Sequence, residues 1–246
     1  MNEVIWHDLE YGAYRQDLPF WLKLAQQAAP AGEGVLDVGA GTGRVAIPLA
    51  AAGHAVTAID LEQELLRELD RRAVQLQLSL TTVCADARAL ELGGARFALV
   101  IVPMQTVQLL GGPLGRRAFL RCAHTHMLSG GVLAIALVRT QDVEEFEVDA
   151  GDPAPLPDVT EIQDVVYFSQ PTAVTRVGDT LILKRRREII DAAGNRTVSN
   201  TAISLDMVEP EQIIRAGQEL GFQAQQTRRI APSAEHTGSQ VVVLRV

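Results

Sequence analysis

The chain has 246 residues, 47% of them apolar and 21% charged, enough to bury the core of one globular domain and too apolar for a disordered chain. Its net charge of −8 argues against the basic stripe that nucleic acid requires, and Lys184–Arg187 is only a local exception. No apolar run approaches the roughly 20 residues that span a bilayer. The acidic N-terminus lacks the layout of a signal peptide, and Cys84 and Cys122 lie far apart as thiols of a reducing compartment. The expectation is a cytoplasmic monomer or homodimer without membrane or nucleic-acid partners.

The first half alternates short apolar runs with helical patterns, as βαβ units of a parallel sheet do. Gly34–Val38 reads as the first strand, followed by a glycine-rich turn and a helix over 43–52 that Gly53 ends. Ala55–Ile59 is the second strand and Glu62–Arg72 the next helix; Leu80–Cys84 and Phe97–Val102 are the third and fourth strands. Phe119–Leu128 is an amphipathic helix stopped by Ser129-Gly130-Gly131, and Val132–Val138 is an apolar fifth strand. The texture then changes. Asp149–Asp158 carries three prolines and reads as a loop, and from Val165 to Leu205 β-branched runs are broken by Gly178-Asp179 and Gly194-Asn195. Three or four antiparallel strands are expected there. Glu209–Leu220 is a helix with proline and acids in its first turn, and Phe222–Thr227 and Gln240–Leu244 close the chain as the last two strands.

The chemistry is concentrated in Asp37-Val38-Gly39-Ala40-Gly41-Thr42-Gly43, where the first strand passes into the first helix of the sheet. Glycines there let the backbone turn sharply and approach a ligand, and the helix start offers N–H groups to ligand oxygens. Such a loop serves a dinucleotide or S-adenosylmethionine. The dinucleotide fingerprint places a third glycine where this chain has Arg44, which disfavours that reading. Asp60 ends the second strand, placed to accept hydrogen bonds from two ribose hydroxyls, and Asp86-Ala87 ends the third, where an acid and a backbone N–H can meet an adenine edge.

With these residues the chain resembles the class I S-adenosylmethionine-dependent methyltransferases, in their small-molecule branch. The likeness extends to Val102-Pro103-Met104-Gln105, Leu128–Gly131 and the stretch from Glu209 to Phe222. It implies a doubly wound, mostly parallel seven-stranded α/β sheet forming a single domain over residues 1–246, with residues 1–30 as a helical cover. An antiparallel layer over 145–206 would be inserted after the fifth strand on the acceptor side. It further implies that Asp37, Gly39, Ala40, Gly41, Thr42 and Gly43 surround the methionine part of S-adenosylmethionine, with Asp60 and Leu61 at the ribose and Asp86 and Ala87 at the adenine. Pro103, Met104 and Gln105 would lie beside the sulfonium, although many relatives carry Asn or Asp just after the fourth strand.

The remaining candidates are less anchored. Tyr14 is expected to lend a ring face to the cofactor cation and Tyr11 to face the acceptor; both could instead simply pack the first helix. His236, between the last two strands, is the candidate base and acceptor contact, against the plainer reading of an exposed loop histidine. His124 and His126 read as structural. In a strand, Arg185 and Arg187 share one face and Lys184 and Arg186 the other; a solvated surface is the plain reading, with Arg185 the candidate to meet an acidic acceptor. No metal-ligand spacing or serine elbow is present. Two other functions stay open: a non-catalytic S-adenosylmethionine sensor or scaffold, and an NAD(P)-linked oxidoreductase, for which the Tyr-x-x-x-Lys pairing is missing.

Overall fold

The structure is a computed structural model that describes residues 2–30, 32–138, 143–148, 155–232 and 237–246. The chain opens with helices α1 (Asn2–Tyr11) and α2 (Leu18–Ala28), then β1 (Gly34–Val38), α3 (Ala46–Ala51), β2 (Ala55–Asp60), α4 (Gln63–Gln75) and β3 (Thr81–Cys84). It continues with β4 (Phe97–Val102), α5 (Gly112–Thr125) and β5 (Met127–Leu137). Five strands follow: β6 (Phe146–Glu147), β7 (Asp158–Ile162), β8 (Val165–Val177), β9 (Thr180–Ile190) and β10 (Arg196–Asp206). The chain ends with α6 (Pro210–Gln218), β11 (Gln223–Ala224), β12 (Arg228–Ile230) and β13 (Ser239–Arg245). These elements form two compact units, Arg15–Arg139 with Val208–Val246, and Met1–Tyr14 with Thr140–Met207. The helical cover expected over 1–30 is thus divided, α1 belonging to one unit and α2 to the other.

The larger unit is built on a sheet of order β11-β13-β5-β4-β1-β2-β3, with β12 also on β13. β1 to β5 pair in parallel, and β13 runs antiparallel to β5. β4 reads Phe-Ala-Leu-Val-Ile-Val and is buried throughout, as a central strand covered on both faces must be. One face takes Val35, Val56, Leu99 and Ile101 against Trp21 and Leu24 of α2 and Leu66 and Leu69 of α4. The other takes Leu36, Val100, Val102 and Ile135 against Phe119 and Leu120 of α5 and Ile213 of α6. Of the run expected over Phe222–Thr227 only Gln223–Ala224, β11, is a strand, and β12 follows beyond its end at Arg228–Ile230. Both oppose β13, so both run with the parallel set.

Two boundaries differ from the sequence reading for local reasons. α5 starts at Gly112 rather than Phe119, because Gly111 takes a left-handed cap with φ of 78° and Pro113 suits a first turn. Ser129-Gly130-Gly131 lies inside β5 and is not a turn before it. Gly130 has φ of 77°, and a Cβ on Gly131 would come within 2.9 Å of the Leu128 carbonyl oxygen and 3.2 Å of that of Ala98. The two glycines permit the register shift between Phe97 and Leu99 where β4 meets β5.

The second unit is an antiparallel sheet of order β10-β9-β8-β6, with β7 paired to β8. Gly178-Asp179 forms the two-residue turn between β8 and β9, as the sequence suggests. A second tight turn, Gln163-Asp164 between β7 and β8, gives no glycine signal, yet both residues have positive φ, 51° and 61°. α1 belongs to this unit: Trp6 meets Tyr167 edge to face at 5.4 Å, and Arg187 lies 5.2 Å over the Trp6 ring. The Glu10 carboxylate, 1% exposed, accepts hydrogen bonds from Arg187 at 2.7 and 2.8 Å and from Ser169 at 2.7 Å. Arg185 pairs with Glu10 at 3.5 Å and with Asp158. Lys184 and Arg186 are 49% and 40% exposed, Arg186 pairing with Glu188 at 2.7 Å, whereas Arg185 and Arg187, at 18% and 16%, turn to Glu10. The alternation of a strand separates them, and Glu10, far away in the sequence, was the missing partner.

Candidate functional site

In the larger unit β1 is the strand from which the chain crosses first to β2 and β3 and later to β4 and β5. Loops leaving β1 and β4 diverge there, and the crevice between them is where open α/β sheets bind ligands. Asp37, near the end of β1, is 1% exposed, and neither of its carboxylate oxygens has a hydrogen-bond partner of acceptable geometry. Burial pushes its pKa up to about 7; Arg44 pulls it down, Asp60 and Asp17 push it further up, and the Ala46 amide relieves it slightly.

The loop that follows turns on Gly39, Gly41 and Gly43, with φ of 73°, 54° and 93°. A Cβ on Gly39 would lie 2.6 Å from Cγ2 of Thr106, so this glycine lets the β1 exit pack against the β4 exit. The loop amides are used within the protein. Those of Gly39 and Ala40 donate to the Ile59 carbonyl at 2.9 and 3.0 Å, and that of Gly43 to the Ala40 carbonyl at 2.9 Å. The Gly41 N–H donates to Oδ2 of Asp60 at 2.8 Å. The helix start expected at Gly43 to offer N–H groups lies further on, since α3 begins only at Ala46.

Asp60 ends β2, and its other oxygen accepts the Glu62 N–H at 3.0 Å. Two backbone donors thus fix the carboxylate and leave lone pairs on each oxygen for a ligand. Leu61 beside it is 61% exposed, an apolar side chain next to an oriented acid. Asp86 accepts the Arg88 N–H at 2.8 Å, capping a short 3-10 turn over Ala87–Ala89 in which Ala87 is buried. The Arg88 guanidinium also reaches both Asp86 oxygens, with Nη2 at 2.7 Å, and these bonds hold the Asp86 carboxyl below its usual value. At the β4 exit, Met104 has φ of 55°, uncommon for a residue with a side chain. Thr106 ties this turn together by donating to the Pro103 carbonyl at 3.1 Å, and Gln105 follows Met104 directly.

The sequence reading missed the residue pair that anchors the loop. Arg44 donates to both oxygens of Asp17 at 2.5 and 2.8 Å, and Trp21 Nε1 donates to Asp17 at 2.8 Å. Arg44 is 8% and Asp17 1% exposed, so the arginine that stands in place of the third glycine closes the loop onto the start of α2. An acid just before Leu18-Pro19 was the available signal. Arg88 was the second omission. His126 is structural: its ring accepts the Leu92 N–H at 3.2 Å and lies 2.8 Å from the Cys122 carbonyl, while His124 packs edge to face on Phe222 at 5.0 Å.

Tyr11, Tyr14 and Arg185 belong to the other unit. There Tyr14 is 5% exposed, and the Tyr11 hydroxyl is pushed up to about 12 by burial and by Glu10. His236 lies outside the described residues. Among the described residues no group of three or more His, Cys, Asp or Glu side chains is placed to hold a metal, and no helix is long and apolar enough to cross a membrane.

Residues 35–131 match a family described as a methyltransferase domain. An uncharacterized protein of Mycobacterium tuberculosis is 42% identical over 86 residues, 35% of this chain and 30% of its own. The chain therefore spans less than a third of that relative's length. Over nearly the whole chain the fold is similar to that of a sugar N-methyltransferase from a Streptoalloteichus species, with a TM-score of 0.78 at 15% identity, covering 100% of this chain and 92% of the other. It is also similar to that of an amino pentose methyltransferase from Micromonospora echinaspora bound to S-adenosylmethionine, with a TM-score of 0.70 at 20% identity, covering 96% and 93%.

Proposed function

We propose that this chain, a member of the class I S-adenosylmethionine-dependent methyltransferase family by its fold and by residues 35–131, transfers a methyl group from S-adenosylmethionine to an N, O or C nucleophile of a small-molecule acceptor. The observation that carries the reading is the division of labour in the β1–β2 loops. The amides of Gly39, Ala40, Gly41 and Gly43 are spent inside the protein, while Asp37 stands buried with both oxygens unpaired. A dinucleotide pyrophosphate needs those amides. A ligand with a cationic aminoacyl end needs a carboxylate instead, and Asp37 is the one available at the loop. The residues present therefore fit S-adenosylmethionine and do not fit NAD.

On this reading Asp37 and the Gly39–Gly43 turn hold the aminoacyl end, and Asp60, oriented by Gly41 and Glu62, accepts the two ribose hydroxyls. Leu61 lies along the nucleoside, and Asp86 with Ala87 takes the adenine edge while Arg88 fixes the acid. Pro103, Met104 and Gln105 stand beside the reacting centre at the β4 exit. When bound, S-adenosylmethionine supplies an electrophilic sulfonium methyl. The protein's task is then to align the nucleophile and exclude water, and proximity in favourable cases is worth about 7–11 kcal/mol. A base is needed only where the acceptor arrives protonated, and His236 is assigned that role. Tyr14 is assigned to the cofactor, and Tyr11, Gln105 and Arg185 to the acceptor. Support for a small-molecule acceptor comes from the similar proteins, one acting on a sugar nitrogen and one on an amino pentose.

Calorimetric titration with S-adenosylmethionine, S-adenosylhomocysteine and NAD tests the reading. Binding of both sulfur ligands is expected, with a loss of about tenfold or more in Asp60→Ala, since each charge-assisted hydrogen bond contributes roughly 1.5–3 kcal/mol. Binding of NAD alone would replace the methyltransferase reading with an oxidoreductase.

A further inference from the structure

The antiparallel sheet of the second unit ends on β10. Among the described residues β10 pairs only with β9, in continuous register over all eleven of its residues. At this length the strand runs about 36 Å. Arg196–Asn200, Ala202 and Ser204 are exposed, Val198 among them at 46%. Natural proteins protect such an edge with lysine, proline, a bulge or a short strand. β10, Arg-Thr-Val-Ser-Asn-Thr-Ala-Ile-Ser-Leu-Asp, uses none of these. The irregularity at Thr172 lies between β8 and β9 and does not extend to the β9–β10 register. The two charges of β10 sit at its opposite ends with opposite signs.

We propose that β10 pairs antiparallel with β10 of a second copy of this chain, in a two-fold register centred on Thr201. In that register Arg196 faces the partner's Asp206, Val198 the partner's Ser204 and Asn200 the partner's Ala202. Opposite charges meet at both ends, which favours an antiparallel pair. Arg196 also pairs with Glu188 on the neighbouring β9, so its guanidinium is already held near the strand end. Every residue faces a partner of the same parity. Thr201, Ile203 and Leu205, the more buried side of the strand, therefore continue onto the same side of the partner's sheet. A slip of one residue inverts the faces, and a slip of two separates the charges. Eleven residues so paired make roughly ten backbone hydrogen bonds, the number carried by an interface of standard size. The contact is isologous and closes on itself, using both free edges. An extended peptide from another protein could also add to this edge, but the end-to-end charge match is a match of β10 with itself.

The test uses the full chain. Sedimentation velocity is expected to show a dimer. Asn200→Glu with Ala202→Glu sets like charges opposite one another and is expected to weaken the dimer at least tenfold. Asn200→Lys with Ala202→Glu sets opposite charges there and is expected to restore it. In a background of Cys84→Ser and Cys122→Ser, Thr201→Cys is expected to form an intersubunit disulfide on mild oxidation, because facing residues of an antiparallel pair have Cα atoms about 4.5–5.5 Å apart. Val198→Cys is expected to fail, its counterpart lying six residues or about 20 Å along the strand. A monomeric wild-type chain, a dimer indifferent to the paired glutamates, or equal crosslinking at 198 and 201 would each overturn the proposal. The cysteine pair still decides it if the glutamate variant does not fold.

Discussion

Replacing Asp17 by alanine removes the carboxylate that receives both guanidinium nitrogens of Arg44 and the indole N–H of Trp21. All of this takes place out of water, with Asp17 1% and Arg44 8% exposed. Removing one partner of a buried ion pair costs about 3–5 kcal/mol, and the lost indole hydrogen bond adds about 1. For a protein of this size a loss of about 4–6 kcal/mol lowers Tm by roughly 8–24 °C. Urea unfolding at neutral pH of Asp17→Ala, Arg44→Met and the double variant measures the pair directly. Because either single change leaves a buried ion without its opposite charge, the double variant should be markedly more stable than the sum of the singles predicts, with a coupling of about 2–3 kcal/mol. A single-variant loss below about 1 kcal/mol, or singles that add within about 0.5, would show that the pair does not hold the loop to α2.

Three further perturbations address other parts of the structure. The Asp37 carboxyl, raised to about 7 by burial, binds a proton in the folded state that the unfolded chain releases nearer 3.8, so it favours folding at low pH and loses that contribution as pH rises to about 7. Asp37→Asn should therefore stabilise the ligand-free protein increasingly between these values and level off above, while weakening S-adenosylmethionine; a pH-independent difference would contradict the burial argument. Glu10 has the opposite sign. Burial raises its carboxyl, but Arg187, Ser169 and Arg185 outweigh that and hold it below the ordinary 4.5. Its stabilisation is present above 4.5 and lost as pH falls through its lowered value, so the deficit of Glu10→Gln in chemical unfolding should shrink toward zero in acid. Gly43→Ala puts a Cβ 2.2 Å from the Leu69 Cδ1 position at a φ of 93°, and should cost about 2–4 kcal/mol in unfolding from backbone strain and overpacking together.

What was legible in the sequence was whatever repeats over short spans. The apolar runs at Gly34–Val38 and Phe97–Val102, the glycine loop and the acids at Asp60 and Asp86 are local patterns, and they locate the β1–β4 crevice. Partners distant in sequence were not legible. Arg44 reads as an obstacle to a dinucleotide until Asp17 is found against it, and Arg185 and Arg187 read as a solvated run until Glu10 is found beneath them. Turns that dispense with glycine, as at Gln163-Asp164, and glycines that serve a bulge, as at Gly130-Gly131, mislead in opposite directions. The two-residue β11 is too short for an alternating pattern to register.

Glu10 and Arg187 are separated by 177 residues. During synthesis Glu10 of α1 is made long before Arg187, the last of its partners to appear. At roughly 5–20 residues per second the helix waits about 10–35 seconds before that pairing can form. For that interval α1 is an acidic, tryptophan-bearing helix without its arginine partner, and the unit it completes can close only after the whole of β1 to β5 has been made. Vectorial translation therefore gives the two units an order of birth, with α1, made before β1, among the last pieces to find its place.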